Sequence, residues 1–302
     1  MSVSLYCSAS NLRVLVGSVN ARQARIDAAA DLALPENAML NGIITGQDAM
    51  RRFLTEVNET HGPFRQEAVL CVESSLVRTR VITIPKVPEQ QMLRFVTEEL
   101  NSALDTEADD VFDFAVLGPN RSKGGIDVLG IAVGRALLAT YISVFEEAGF
   151  KLRHIDVGAN ALIKVATFSP HLLDGNDLLA LIDDATLFLV LFDHGRFVLV
   201  KKYRLMAAPN TDERRREVGE HLSTFVQFQK TQNSEGDVHA VHVAGISAER
   251  IAQLAELVSY LQMPIIPLDI DEHLKFSDKM AFGSGDFESY KYLFNIGALM
   301  GR

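Results

Sequence analysis

Cysteine is nearly absent. Cys7 and Cys71 are the only two in 302 residues, and both fall in segments that read as strands. This excludes a zinc knuckle or a Cys-x-x-Cys redox pair and leaves two small apolar core residues. With no secretory context in the sequence, a disulfide between them is not expected. Positive charge is also short: 29 Lys and Arg stand against 39 Asp and Glu, a net charge of −10. Nucleic acid and an anionic membrane surface both call for a basic face, so neither is expected as a direct partner. Long apolar runs are missing as well. The longest, 178–192, is interrupted by Asp183 and Asp184, and nothing approaches the ~18 residues of a membrane span. The N-terminus, Met-Ser-Val-Ser-Leu-Tyr, has neither the basic region nor the apolar core of a signal peptide. A cytosolic protein is expected, reaching a membrane only through a partner. Gly-x-Ser-x-Gly, a Walker loop and His-Glu-x-x-His are absent. The eight histidines show no ligand spacing; His239 and His242, three apart on a predicted strand, fall on opposite faces.

What is present is a pattern that occurs twice. Residues 3–28 read strand, turn, strand, turn, strand, and residues 178–204 read the same way. Each triplet is followed by a helix and a lone strand. Duplication of this kind suggests a two-lobed α/β fold of the actin-like (ribonuclease H-like) type with a cleft between the lobes. The first lobe core is expected over 1–75, with Met50, Phe53, Leu54 and Val57 marking a helix over 47–60 that ends at Gly62 and Pro63. An insert over 76–150 runs strand, helix, strand, strand, helix and closes on a strand near 152–157. This is the split β-α-β-β-α-β order. Within it Met92, Val96, Leu100 and Leu104 form one helical stripe, Asn120–Gly125 is a polar turn, and Gly149 suits a helix C-cap. Residues 151–175 return to the first lobe and cross over. The second lobe is expected over 176–280, with Thr211 capping a long helix whose inner face carries Val218, Leu222, Phe225 and Val226. A last helix, within 281–302, returns to the first lobe.

The insert and its flanks carry a recognisable succession. Val81-Ile-Thr-Ile-Pro-Lys-Val-Pro88 precedes Glu98-Glu99-Leu100; then come Phe114–Gly118, Leu129–Val133, Glu147–Leu152, Ile155-Asp156 and Ala161-Leu162. In that order these segments resemble the PilM family, actin-like cytoplasmic proteins of type IV pilus assembly. They are similar, more distantly, to the division protein FtsA and to the cytoplasmic part of GspL secretion proteins. The resemblance implies a cytoplasmic scaffold at the inner face of the cell membrane. It would hold the tail of a membrane-anchored, PilN-like pilus protein in a groove beside the insert. Arg80, Ile82, Ile84, Pro85 and Asn160 are the residues it points to for that groove.

The nucleotide motifs implied by the same resemblance are eroded. The first hairpin should read Asp-Ile-Gly-Ser-x-x-Val-Lys, and the matching stretch here is Tyr6-Cys-Ser-Ala-Ser-Asn-Leu-Arg13. The second keeps Asp183, Asp184 and Thr186 without the glycine, and the third is reduced to Ala244-Gly245-Ile246. Glycines in such loops let backbone N–H groups reach phosphate oxygens, and a loop-held Mg²⁺ needs a carboxylate. A degenerate site would comprise Ser8, Ser10, Arg13, Asp183, Asp184, Thr186 and Gly245, with no cofactor expected in it and no ATP hydrolysis. Each residue has a plainer reading. Asp183 and Asp184 suit a strand end and turn, Gly245 a strand-to-helix turn, and Asp156 a helix cap near Gly158. Arg214-Arg215-Arg216, with acids on both sides, reads as a solvated helix face. An actin-like ATPase with a divergent phosphate site is the alternative function. A filament-forming homo-oligomer is a third reading that the sequence does not separate from the first.

Overall fold

The structure, a computed structural model, describes residues 2–62, 64, 67–120, 124–232, 237–281 and 287–301. The helix end expected at Pro63 and the middle of the 120–125 turn lie outside the described residues. The chain forms two compact units. One comprises Met1–Lys164, Lys275–Asp286 and Phe294–Arg302; the other comprises Val165–Leu274 and Phe287–Leu293.

The first unit opens with β1 (Ser2–Cys7), β2 (Asn11–Val19) and β3 (Ala24–Ala33), followed by a small ribbon of β4 (Met39–Leu40) and β5 (Ile43–Ile44). Helix α1 (Gln47–His61) buries Met50, Leu54 and Val57, as its 3.6-residue spacing requires. Next come β6 (Ala68–Val72), β7 (Val77–Ile84), α2 (Glu89–Ala103), β8 (Asp110–Asn120), β9 (Gly125–Gly134), α3 (Arg135–Glu147), β10 (Leu152–Val157) and α4 (Gly158–Ala166). Gly149 stops α3. Its φ is +89°, and the Phe150 N–H reaches the Phe145 carbonyl at 3.1 Å while the Gly149 N–H reaches Glu146 at 2.9 Å. That pair of bonds is a Schellman cap.

The second unit holds α5 (Pro170–Leu173), β11 (Asn176–Asp183), β12 (Thr186–Asp193), β13 (Arg196–Arg204), α6 (Asp212–Gln232), β14 (Ala240–Ala244), α7 (Ala248–Leu257) and β15 (Ile265–Pro267). Strand β16 (Leu274–Ala281) and helix α8 (Leu293–Leu299) complete the chain. Strand β11 is buried at every position, and its core with β12 and β14 is continued by Val218, Leu222, Phe225 and Val226 of α6 and by Ile251 and Leu254 of α7.

The duplication is present in the pairing. One sheet runs β10-β6-β1-β2-β3-β16 and the other β15-β14-β11-β12-β13. In each, the opening strand is antiparallel to the second and parallel to the lone strand, which is in turn parallel to the last.

Two arrangements differ from the sequence reading. The insert has its expected element order, but β10 leaves it to pair with β6, so the insert's own sheet is three strands, β7-β9-β8. The apolar stripe of α2, Met92, Val96 and Leu100, covers one face of that sheet. The second difference is β16, which adds to the first sheet beside β3. The chain therefore rejoins the first unit earlier than residue 281.

Candidate functional site

The first candidate turn lies between β1 and β2, and it is closed by its own groups. The Ser8 N–H donates to the Asn11 carbonyl at 2.8 Å, and the Asn11 N–H donates back to Ser8 Oγ at 3.0 Å. Ser8 Oγ also reaches the Asn11 carbonyl at 3.2 Å, and Ser10 Oγ donates to Asn11 Oδ1 at 2.8 Å. The Asn11 amide is held in turn by Asp31 at 2.6 Å. None of these positions has a positive φ. The Ser8 and Ser10 hydroxyls and the Ser8 and Asn11 N–H groups are therefore bonded within the turn. Arg13 is buried beside Asp31, 3.7 Å away, and its guanidinium lies 5.8 Å from the Tyr6 ring centroid. Tyr6, where a metal-binding acid would stand, packs its ring 4.5 Å from that of Phe294. Beside it, burial pushes the Cys7 thiol up to about 12, so this cysteine is inert toward thiolate chemistry.

Asp156 is buried and engaged on both oxygens. Oδ1 accepts from the Val157 N–H and from Asn160 Nδ2, each at 2.8 Å, and Oδ2 pairs with Lys164 Nζ at 2.9 Å. It steadies the first turn of α4 through the Asn160 side chain. Asn160, a groove candidate, is thus tied into the ion pair beneath it. Of the other groove candidates, Arg80, Ile82 and Ile84 share one face of β7, the one toward α2. Ile82 and Ile84 point under α2; Ile84 is 1% exposed and packs with the core of Met92, Val96 and Val128. These two form the insert's own core and are not part of an open wall. Arg80 is exposed and donates to the Ala103 carbonyl at 2.9 Å, and Pro85 is exposed just after β7. The face away from α2 carries half-buried Thr79 and Val81 on β7 and Val111 and Ala115 on β8. At one end Asp127, buried, accepts from Thr83 Oγ1 at 2.7 Å and Asn120 Nδ2 at 2.9 Å.

In the second unit, Asp183 pairs with Thr186 across the β11–β12 turn, and Asp184 sits in the left-handed region at φ +48°. Gly245, at φ +95°, ends β14 against β11, where a Cβ would overlap the Ile182 carbonyl. Its glycine is required by close backbone approach. Asp184 and Gly245 line a cavity of about 240 Å³ together with the start of α6 and part of α7. Thr211 accepts the Arg214 N–H at 3.2 Å and so caps α6. Arg214, Arg215 and Arg250 all line this cavity. Arg214 is only 8% exposed, which corrects the reading of 214–216 as a wholly solvated face. Positions 214, 218, 222 and 225 share one side of the helix, and that spacing was available in the sequence. Among the described residues no cluster of His, Cys, Asp or Glu could hold a metal, and no helix is long and apolar enough to cross a membrane.

Two sheets of matching strand order, one interrupted by a small β-sheet insert, define the actin-like ATPase fold. A protein of that fold from Bacteroides thetaiotaomicron aligns over 91% of this chain and 92% of its own, at TM-score 0.53 and 13% identity. The cytoplasmic domain of EpsL, an inner-membrane component of the Vibrio cholerae type II secretion system, aligns over 100% and 95%, at TM-score 0.51 and 14% identity. The PilM–PilN type IV pilus biogenesis complex aligns over 99% and 97%, at TM-score 0.77 and 18% identity. No curated protein sequence matches the chain. The family model for type IV pilus assembly protein PilM matches residues 5–187. This chain belongs to that family.

Proposed function

We propose that this protein is a scaffold of type IV pilus assembly that holds the cytoplasmic tail of a membrane-anchored, PilN-like protein. Through that partner it sits at the inner face of the cell membrane. The observation that carries the reading is the family match over 5–187, which takes in the whole insert and the strands around it. The likeness to a PilM–PilN complex over nearly the full length supports it. The outer edge of the insert's sheet supplies a suitable surface. Strand β7 is an edge of its sheet, so its outer backbone groups can pair with an extended peptide. Half-buried Val81 offers an apolar contact beside them.

The same reading holds that Mg-ATP binds weakly and is not turned over. The hydrogen bonds among Ser8, Ser10 and Asn11 support this, because a phosphate at the turn would compete with them. Thermal-shift titration with Mg-ATP tests it, since a ligand bound only by the native state raises the melting temperature. For the partner, the test is titration of a peptide from the tail of the cognate PilN-like protein. Val81→Asp should weaken binding by at least about tenfold, because it buries an unpaired charge. Arg216→Ala, on α6 of the other unit, should leave binding unchanged. Equal binding by both variants would remove the insert edge as the site.

A further inference from the structure

We propose that the outer edge of β13 binds an extended partner segment in which acidic and apolar residues alternate, adding it as a further strand to the second unit's five-stranded sheet. The edge belongs to the other unit from β7, and the inference does not rest on the pilus-assembly reading.

Strand β13 ends its sheet, with β12 on its inner side. An edge strand presents a row of backbone N–H and C=O groups with which a further strand can pair. The register to β12 shifts between Leu191 and Phe192, which leaves Val198 as a bulge. From Leu199 to Arg204 the pairing is regular, so the bulge marks where an added strand would stop. Side chains alternate across this stretch. Leu199, Lys201 and Tyr203 stand opposite Leu191, Leu189 and Leu187, on the face that α6 covers. Val200, Lys202 and Arg204 stand opposite Val190, Phe188 and Thr186, on the other face.

Lys201, Lys202 and Arg204 make the stretch basic in a chain whose net charge is −10. Lys201 and Arg204 are exposed and Lys202 is half-buried. Counting Asp183, which lies across Thr186 from Arg204, still leaves a formal sum of +2 (three cations less one anion). Glu217, beyond the strand end, is committed to the N–H groups of Met206 and Ala207 at 2.7 and 3.1 Å. Asp193, at the other end of β12, is held by His194 at 2.7 Å. Lysine on an edge also guards it against unwanted pairing, but a guard needs no apolar flank, and this edge has one. Tyr203 stacks on His221 of α6 with ring centroids 4.4 Å apart. Phe228, one heptad further along the same helix face, is 51% exposed, and Met206, just past the strand, is 77% exposed. One face of the edge therefore calls for acids opposite Lys202 and Arg204, and the other offers apolar contact at Leu199 and Tyr203. Opposite-charge and apolar cross-strand pairs are what stabilise an added strand.

The test is fluorescence anisotropy of a labelled peptide, Glu-Val-Glu-Val-Glu-Val blocked at both ends, titrated with the full chain. Saturable one-to-one binding with Kd below about 1 mM is expected. The block peptide Glu-Glu-Glu-Val-Val-Val, of equal charge, should bind at least about tenfold more weakly, because it cannot sort acids and valines to opposite faces. The alternating peptide N-methylated at every residue should not bind, since it cannot donate to the edge. Lys202→Glu combined with Arg204→Glu should weaken binding by about tenfold or more, by setting like charges opposite one another. Val81→Asp, in the first unit, should bind this peptide as the parent does, which separates this edge from β7. The proposal is overturned by no saturable binding at about 1 mM peptide, which would leave the lysines as a guard alone. Equal binding of the block peptide, or no effect of the double reversal, also overturns it. Sedimentation of the chain without peptide completes the test: self-association that the double reversal abolishes would give the edge to a second copy instead.

Discussion

Asn295 and Ser4 are 291 positions apart and joined by a buried hydrogen bond: Asn295 Nδ2 donates to the Ser4 carbonyl at 3.1 Å. The same amide reaches the Arg13 carbonyl at 3.0 Å. One side chain of α8 thus fastens the end of the chain to neighbouring strands β1 and β2, and Gly297 lets the helix lie directly against the Ala161 carbonyl.

Replacing Asn295 by Leu keeps the size and removes the donor. Because Asn295 is 0% exposed, water cannot take its place at the Ser4 and Arg13 carbonyls. A loss of about 1–3 kcal/mol is expected in chemical denaturation. An unchanged midpoint would show that α8 contributes nothing to the first unit.

Gly245 and Gly195 both have positive φ, +95° and +75°, but differ in surroundings. At Gly195 an added Cβ meets only Leu173 at 3.5 Å, an ordinary contact. Gly195→Ala should therefore cost the left-handed backbone alone, about 1 kcal/mol. Gly245→Ala must also displace the Ile182 carbonyl and should cost at least about twice that. Equal melting temperatures for the two variants would contradict the close approach of β14 to β11.

Ile84 and Val81 lie on opposite faces of β7. Ile84→Asp places a charge in the core beneath α2 and should destabilise by about 3–5 kcal/mol, or unfold the insert. Val81→Asp, half-buried, should cost about 1 kcal/mol or less. Thermal melts of the two variants separate a core position from a surface one before any binding experiment is read.

His242 on β14 should make stability sensitive to acid. Burial lowers its pKa from the usual 6.5, with Asp177 raising it and His171 lowering it further. In the unfolded chain the imidazole takes up a proton near 6.5, before it does so in the folded chain. Stability is thus fully present above that pH and falls as pH drops below it. A tenfold difference in proton affinity between the folded and unfolded chains is worth about 1.4 kcal/mol. Melting temperatures between about pH 8 and about pH 5 should fall more steeply for the parent than for His242→Gln. Parallel slopes would remove His242 as the cause.

Where local rules suffice, the sequence was enough. The paired strand triplets appear because alternation and turn residues act over a few positions, and His194-Gly195, both at positive φ, make the turn their identities favour. The α1 and α2 stripes follow from helical spacing, and the Gly149 cap from its freedom at positive φ. The family succession over 81–162 was legible for the same reason, as was the loss of glycine in the hairpin turns. The rest depended on which distant residues meet. Strand β10 pairs with β6 because its partner edge lies in the core sheet, and nothing in residues 152–157 distinguishes that edge from the insert's. Parity placed Ile82 and Ile84 on one face, but only the packing of α2 showed that this face is closed. Lys164 claims Asp156, and the turn at Asp184 receives Arg214. Both depend on groups brought together only by folding, where burial makes a polar group without a hydrogen bond costly.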